Sequence, residues 1–129
     1  VADEDVAKLR PHAPAFTWIF DITDESNPIP ISSWQASGLD LVGEPQSIFT
    51  GCHQPSEIVT GTVIPFAWFS KGIRMLDISN PHSPREVGHF EPDPQPGCDR
   101  ICANDITVDS RGLIYVIDRL RGFHIVEQT

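Results

Sequence analysis

An internal repeat of short β-compatible segments constrains the fold of this chain more than any other feature. In its central copy, residues 72–78 form a largely apolar run opened by Gly72, and residues 85–90 alternate polar with apolar side chains. The pairs Asn80-Pro81 and Ser83-Pro84 separate the two segments, and such pairs favour turns. The pattern predicts two strands joined by a proline-containing turn.

Partial copies of this unit lie on either side of it. Residues 16–31 align with residues 72–87, and residues 113–127 align with residues 63–77, each at a constant offset. The matched pairs include Asp21 with Asp77, Pro28 with Pro84, Trp34 with Phe90, Cys52 with Cys102 and Gly72 with Gly122. A repeat of about 50 residues that holds four short strands is typical of a β-propeller blade.

The sequence therefore predicts an all-β fold, a partial β-propeller of antiparallel four-stranded blades with strands A to D running outward from the axis. About two and a half blades are expected: an incomplete blade over residues 1–37, a complete blade over residues 47–94, and an incomplete blade over residues 102–129. In the complete blade the predicted strands are A near residues 57–60, B at 63–69, C at 72–79 and D at 85–90.

Two and a half blades are too few to close a propeller, so the chain is expected to need a partner. Closed propellers need about four to eight blades, and an open segment would expose sheet faces and unpaired edges. We expect a fragment of a longer propeller that packs against the remaining blades, or a chain that closes its core against another copy of itself.

Composition and charge narrow the classes of partner. The 129 residues are 40% hydrophobic and include 12 prolines, which favours a packed core of many short elements. Eighteen acidic residues against nine basic ones give a net charge of −9, which argues against nucleic acid as a partner. The sequence contains neither a membrane span nor a signal peptide pattern. It predicts a soluble protein and leaves the compartment open, the cytoplasm included.

The three cysteines leave two interpretations open. Cys52, Cys98 and Cys102 are an odd number and cannot form a closed disulfide framework. They are either reduced thiols that line the core, or two of them form one bridge, Cys98 with Cys102 or Cys52 with Cys102.

The segments AWFSKGIRMLDISNPHSPREVGHFEPDP and ANDITVDSRGLIYVIDRLRGFHIVE, with GCHQPSE ahead of them, resemble the C-terminal part of LVIVD-repeat proteins. The resemblance covers residues 16–127 and implies a β-propeller whose full-length members are longer than this chain, with little implied chemistry. More distantly the chain is similar to the selenium-binding and methanethiol-oxidase propellers, which use histidine-bound metal. The histidine pairs expected there are missing from this segment.

The candidate site residues are those that a propeller would place around the mouth of its axial channel, on the D–A and B–C loops. His53 and Glu57 are the best pair for metal binding or acid–base chemistry, since imidazole and carboxylate both bind transition metals. Such a metal would need a third donor, for which Asp105 or a histidine from another blade is a candidate. The alternative for His53 is a hydrogen bond to the loop backbone.

Two further candidates have structural alternatives of their own. Asp105, with Asn104 before it, can cap a turn by accepting backbone N–H bonds. Arg119 can receive a carboxylate of a small molecule, or it can join Arg121 in an ion pair with Asp118 that fixes the B–C turn.

Two functions follow from these residues. The first is a propeller segment that serves as a scaffold or as a module that binds a ligand or a protein. The alternative is a metal-dependent oxidoreductase or hydrolase acting on a small molecule, with a transition metal on His53 and Glu57 and with Glu57, Asp105 and Arg119 as catalytic residues. No other cofactor is indicated.

Overall fold

The computed structural model describes residues 1–2, 16–36, 51–93, 96–98 and 100–129. Nine strands and no helix lie in these ranges. The strands are β1 (Thr17–Asp21), β2 (Ile29–Trp34), β3 (Gln54–Pro55), β4 (Val63–Ala67), β5 (Ile73–Asp77), β6 (Arg85–Phe90), β7 (Ala103–Val108), β8 (Ile114–Asp118) and β9 (Gly122–Val126). The predicted all-β fold is confirmed.

The strands form three antiparallel sheets, each made of neighbours in sequence. Sheet 1 contains β1 and β2, sheet 2 contains β3 to β6 in that order, and sheet 3 contains β7 to β9. Short connections allow only antiparallel pairing between such neighbours, because parallel strands need long crossovers. The predicted four-stranded unit is present in sheet 2. The arrangement of the three sheets around a propeller axis stays a prediction.

The repeat extends to an irregularity in the pairing of the strands. In sheet 2 the register shifts between Met75 and Leu76, and in sheet 1 it shifts between Ile19 and Phe20, their partners in the repeat. A bulge at the same place in two sheets indicates a shared local geometry rather than an accident of one strand.

Strand β5 is the centre of the packing, because all five of its residues are buried. On one side, Leu76 packs with Phe66 and Trp68 in a cluster that includes Trp34 of sheet 1. On the other side, Ile73 and Met75 pack with residues of sheet 3. Since alternate residues of a strand point to opposite faces, sheet 2 is covered on both faces. The second cluster contains Ala67, Ile73, Met75, Ile101, Ala103, Ile106, Ile114 and Val116.

The tryptophans divide between the interior and the surface. Trp34 and Trp68 meet edge to face, with ring centroids 5.1 Å apart, between sheets 1 and 2. Trp18 is 36% exposed. Its strand neighbour Thr17 takes the inward position, where its hydroxyl lies 3.2 Å from the thiol of Cys52.

The first strand of sheet 2, the cysteines and the loop between the first two predicted blades can each be compared with the sequence prediction. The first strand of sheet 2 is Gln54–Pro55 and not residues 57–60, whose Ile58 and Val59 are 56% and 50% exposed. None of the three cysteines is in a disulfide, and Cys52 and Cys102 are buried, which matches the core-lining interpretation. The loop predicted between the first two blades, residues 38–46, lies outside the described residues.

Candidate functional site

Phe69, in the turn between β4 and β5, has the most unusual backbone of the described residues. Its φ angle is +39°, whereas every other described residue with a positive φ is glycine. Its side chain is fully buried. A bulky residue in this region is strained by about 1–3 kcal/mol, and such strain is found preferentially at functional sites.

The surrounding structure holds Phe69 in this conformation. Phe69 and Ala103 exchange two backbone hydrogen bonds of 3.0 Å, which connect the turn of sheet 2 to the first strand of sheet 3. Within the turn, the N–H of Gly72 donates to the carbonyl of Phe69 at 3.1 Å, and the N–H of Trp68 donates to the carbonyl of Gly72 at 2.8 Å. The turn is fixed on both sides.

Two predicted site residues converge on the ring of Phe69. The imidazole of His53 meets it edge to face, with centroids 4.8 Å apart, and the guanidinium carbon of Arg119 lies 5.8 Å from its centroid. His53 is half-buried and Arg119 is exposed. We call His53, Phe69 and Arg119 the Phe69 cluster; its members come from three different segments and from two different sheets.

Cys102 packs beneath this cluster, against Phe69. Burial raises the pKa of the Cys102 thiol, and the positive charge of Arg119 only partly opposes this effect. Since the thiolate is the reactive form of cysteine, a raised pKa makes Cys102 a packing residue rather than a nucleophile.

Asp118 fixes the turn between β8 and β9 through backbone groups. Its carboxylate accepts hydrogen bonds from the N–H groups of Cys102 at 2.8 Å, Leu120 at 2.8 Å and Arg121 at 3.0 Å. The sequence predicted an ion pair of Asp118 with Arg119 and Arg121 for this role. In the described part of the chain, backbone donors take the place of that ion pair.

Arg121 is likewise engaged by the backbone. Its guanidinium donates to the carbonyl oxygens of Arg100 at 3.0 Å and Cys98 at 3.2 Å, and to that of Asp93. Arg121 is therefore a buried brace for the segment that leads into β7. Arg119 is the arginine of this turn that stays exposed.

Three buried polar atoms lie next to the hydrogen-bonded pair Phe69 and Ala103. They have no hydrogen-bond partner among the described residues. They are the indole Nε1 of Trp68, the hydroxyl of Ser70 and the side-chain oxygen Oδ1 of Asn104. Trp68 and Ser70 precede and follow Phe69, and Asn104 follows Ala103 at the bulge of β7. Buried polar groups are normally paired, so this concentration at one place is unusual.

The structure places Asp105 away from the Phe69 cluster. Its Oδ1 accepts a hydrogen bond of 2.8 Å from the N–H of Ile106, within β7 rather than at a turn. Asp105 pairs with Ile117 of β8, and cross-strand partners share a face of a sheet. Ile117 lies on the exposed face of sheet 3.

Glu57 is also separated from His53. The N–H of His53 bonds the carbonyl of Ala67 at 3.0 Å, and that of Ser56 bonds the carbonyl of Pro65 at 2.8 Å. The chain therefore runs extended along β4, and Ser56 lies about 10 Å beyond His53. Glu57 follows Ser56 and is exposed.

The structure thus places His53 and Arg119 against the same ring, that of Phe69, and leaves Glu57 and Asp105 outside this cluster. Over residues 1–2, 16–36, 51–93, 96–98 and 100–129, no three His, Cys, Asp or Glu side chains form a group that could hold a metal ion. Phe69 was not predicted from the sequence as the centre of a site. Its left-handed backbone has no sequence signal, because phenylalanine rarely adopts it.

Comparisons of the chain with protein-family models, with curated proteins and with solved structures gave no match. In the described ranges, no helix has the length and apolar character that a membrane crossing requires.

Proposed function

We propose that this chain is a segment of a β-propeller of the LVIVD-repeat type and serves as a binding module for a small anionic molecule. In this proposal the stacked sheets are the scaffold, and the ligand binds at the end of the sheets where the Phe69 cluster lies. The coverage of β5 on both faces supports the stacking part, since neighbouring blades of a propeller pack face to face.

The convergence of His53 and Arg119 on Phe69 carries the proposal. The exposed guanidinium of Arg119 lies over the ring that His53 also contacts, and it offers several N–H donors to one carboxylate or phosphate group. The buried ring of Phe69 holds both groups in place, through an edge-to-face contact with His53 and a cation–π contact with Arg119. A site that is fixed before the ligand arrives loses little entropy on binding.

The chemistry of the site favours a compact anion over a large apolar ligand. Phe69 is itself fully buried, so its ring is not available for stacking with a ligand. Arg119 and His53 are the parts of the cluster that reach solvent. A carboxylate can receive two parallel hydrogen bonds from one guanidinium, which also fixes its orientation.

The test is an NMR titration of ¹⁵N-labelled protein with acetate and, separately, with inorganic phosphate. We expect the backbone amides of His53, Phe69 and Arg119 to shift saturably at concentrations up to about 10 mM. Arg119→Gln should abolish the shifts. Arg111→Gln is the matched control, because Arg111 is an exposed arginine of sheet 3 in the turn at the opposite end.

Two outcomes would overturn the ligand site. One is the absence of saturable shifts at the Phe69 cluster with either anion. The other is an equal loss of binding in Arg111→Gln, which would indicate a general effect of positive charge rather than a site.

The alternative function, a metal-dependent enzyme, can be tested directly. It requires a transition metal held by His53 with donors beyond the described residues, since Glu57 lies too far along the strand. Metal analysis of protein purified without chelators separates the two functions. A stoichiometric metal that is lost in His53→Ala would replace the anion-binding proposal with the metal site.

A further inference from the structure

A cleft opens between sheets 1 and 2, at the end of β5 that lies away from Phe69. Its volume is about 520 Å³, and it lies between the turn that joins β1 to β2 and the turn that joins β5 to β6. The lining has an apolar, half-buried part, made of Phe20, Ile31 and Pro81, and an exposed polar part, made of Asp21, Thr23 and His82. We call it the Asp21 cleft. Its volume is in the range of sites that bind small ligands or side chains.

The two walls of the Asp21 cleft are fixed against each other. The hydroxyl of Ser32 on β2 donates a hydrogen bond to the carbonyl oxygen of Pro81. In the turn that contains Pro81, the side chain of Asn80 accepts from the N–H of His82 at 3.2 Å, and its carbonyl accepts from the N–H of Ser83 at 2.9 Å. The cleft is therefore formed before a ligand arrives, which reduces the entropy lost on binding.

The repeat identifies what the counterpart of Asp21 binds in the central unit. Asp77, which the alignment matches with Asp21, accepts hydrogen bonds from Nε and Nη2 of Arg85 at 3.3 Å and 3.2 Å. The two aspartates share their local geometry, because in each the Oδ1 atom accepts from the N–H two residues further on. The donor is Thr23 at 2.9 Å in sheet 1 and Ser79 at 2.8 Å in sheet 2. A carboxylate at this position of the repeat thus binds a guanidinium.

Sheet 1 lacks the arginine that Asp77 uses. The strand partner of Asp21 is Ile29, at the position that Arg85 occupies opposite Asp77. Neither strand of sheet 1, nor the turn between them, contains a lysine or an arginine. Among the residues that the structure describes, no lysine or arginine forms an ion pair with Asp21. The cleft therefore presents a carboxylate without the cation that its counterpart has.

The surroundings of Asp21 favour an arginine side chain of a peptide over a bare cation. The hydroxyl and the N–H of Thr23 lower the pKa of the Asp21 carboxyl, so it is charged at neutral pH. The aliphatic part of an arginine side chain can pack on the apolar lining while its guanidinium reaches the carboxylate. Ile22 and Ile29 beside it are 62% and 52% exposed and extend the apolar surface that a peptide would cover. Charge is complementary, since residues 16–36 carry three acidic side chains and no basic one.

We propose that the Asp21 cleft binds an arginine side chain of a partner peptide, with the guanidinium on the carboxylate of Asp21 and the aliphatic part on the apolar lining. The contact repeats with a partner the pairing that Arg85 and Asp77 make within the chain. The imidazole of His82 offers a further acceptor to the guanidinium when it is neutral. The cleft and the Phe69 cluster lie at opposite ends of β5 and take ligands of opposite charge, so the two proposals are independent.

The test is an NMR titration of ¹⁵N-labelled protein with N-acetyl-argininamide, which reproduces an arginine residue without charged ends. We expect the backbone amides of Asp21, Thr23 and His82 to shift saturably, with a dissociation constant of about 1–10 mM for this single side chain. The citrulline analogue has the same shape and no charge. It should bind about tenfold more weakly or worse, as expected for the loss of a charge-assisted hydrogen bond.

Asp21→Asn and Asp24→Asn form a matched pair of variants. Each removes one negative charge from the same turn, and each aspartate accepts from the backbone N–H two residues further on, which an amide oxygen can also do. Asp24 does not line the cleft. Only Asp21→Asn should weaken the binding of argininamide, by about tenfold or more. Equal weakening by both variants would indicate a general effect of negative charge and overturn the proposal.

Ile29→Arg tests the argument from the repeat. The position is exposed, and the variant places an arginine opposite Asp21 as Arg85 stands opposite Asp77. It should block the binding of argininamide, whereas Ile29→Gln should keep the affinity within about twofold. Absence of saturable shifts up to about 50 mM, equal binding of the citrulline analogue, or unchanged binding in Ile29→Arg would each overturn the proposal. None of these results would affect the acetate titration at the Phe69 cluster.

Discussion

Phe69 and Ala103 exchange both of their backbone hydrogen bonds, at 3.0 Å each, across the gap between two separate sheets. The pair joins the turn of sheet 2 to β7 of sheet 3 by main-chain groups, in addition to apolar packing. This connection explains how the strained φ angle of Phe69 persists. The ring that it positions is the common contact of His53 and Arg119.

Gly72 should tolerate no side chain. Its φ angle is +64°, and a Cβ atom there would lie 2.2 Å from the backbone carbonyl oxygen of Phe90. Gly72→Ala is expected to lower the free energy of unfolding by about 3 kcal/mol or more, from both strain and steric overlap. Urea unfolding provides the measurement. Gly61→Ala is the control, since nothing lies within 4 Å of its Cβ position, and its effect should stay within about 0.5 kcal/mol.

Removal of Arg74 should destabilise the fold because this arginine is buried. Its side chain is 4% exposed and pairs with Glu86 at 3.0 Å and with Glu91. Arg74→Met removes the hydrogen bonds of a buried guanidinium to these two carboxylates, so we expect a loss of about 1.5–3 kcal/mol of unfolding free energy.

Arg85 supplies the comparison for Arg74. It also pairs with a carboxylate, Asp77 at 3.2 Å, but its side chain is 74% exposed. Arg85→Met should therefore cost no more than about 1 kcal/mol in the same urea experiment. Equal losses for the two variants would contradict the view that burial decides the value of these ion pairs.

Asp118→Asn should destabilise the turn that carries Arg119. The amide nitrogen that replaces one carboxylate oxygen cannot accept from the N–H of Cys102, so a buried donor loses its partner. We expect a loss of about 1–3 kcal/mol by thermal or urea unfolding. Asp105→Asn is the control, because an amide oxygen can still accept from Ile106, and a comparable loss there would contradict the prediction.

The unfolding free energy should fall at low pH, and Asp109 should account for part of this fall. Burial raises the pKa of its carboxyl, but hydrogen bonds from Arg111, Tyr115 and Leu113 outweigh burial and lower that pKa from 3.8 to about 2. The folded pKa lies below the unfolded one. The stabilisation is therefore fully present above about pH 4 and is lost as the pH falls towards 2.

Asp109→Asn should flatten this fall in the unfolding free energy between about pH 4 and pH 2. Tyr115→Phe, which removes one of the hydrogen bonds, should flatten it in part. Some slope should remain in both variants, because hydrogen bonds from Ser79 lower the pKa of Asp77. A fall at low pH that is unchanged in Asp109→Asn would show that other carboxyls set it.

The positions of most strands could be predicted from the sequence. The predicted segments at 63–69, 72–79 and 85–90 contain β4, β5 and β6, because alternation and proline-rich turns mark the ends of such strands locally. The first strand of sheet 2 could not be placed in this way. Ile58 and Val59 have the composition of a strand, but only tertiary packing decides which short segment lies beside β4.

The wrong position predicted for the first strand of sheet 2 also affected the predicted site. Glu57 was paired with His53 because imidazole and carboxylate both bind transition metals. The first strand of sheet 2 is Gln54–Pro55, and Glu57 lies beyond it and is exposed. Arg119 was predicted as a site residue, but its role alongside Arg121 was left open. Which of the two is buried depends on carbonyl groups of a distant segment, and no local pattern encodes that choice.

The sequence by itself determined the β repeat, its turns and the residues eligible for a site, since each of these depends on neighbours along the chain. The tertiary structure decided which of those residues meet. His53 and Arg119 lie far apart in the sequence and share a contact only because the connection between Phe69 and Ala103 fixes one sheet against the next. Packing between sheets is long-range, and its outcome is set by the whole fold rather than by any segment.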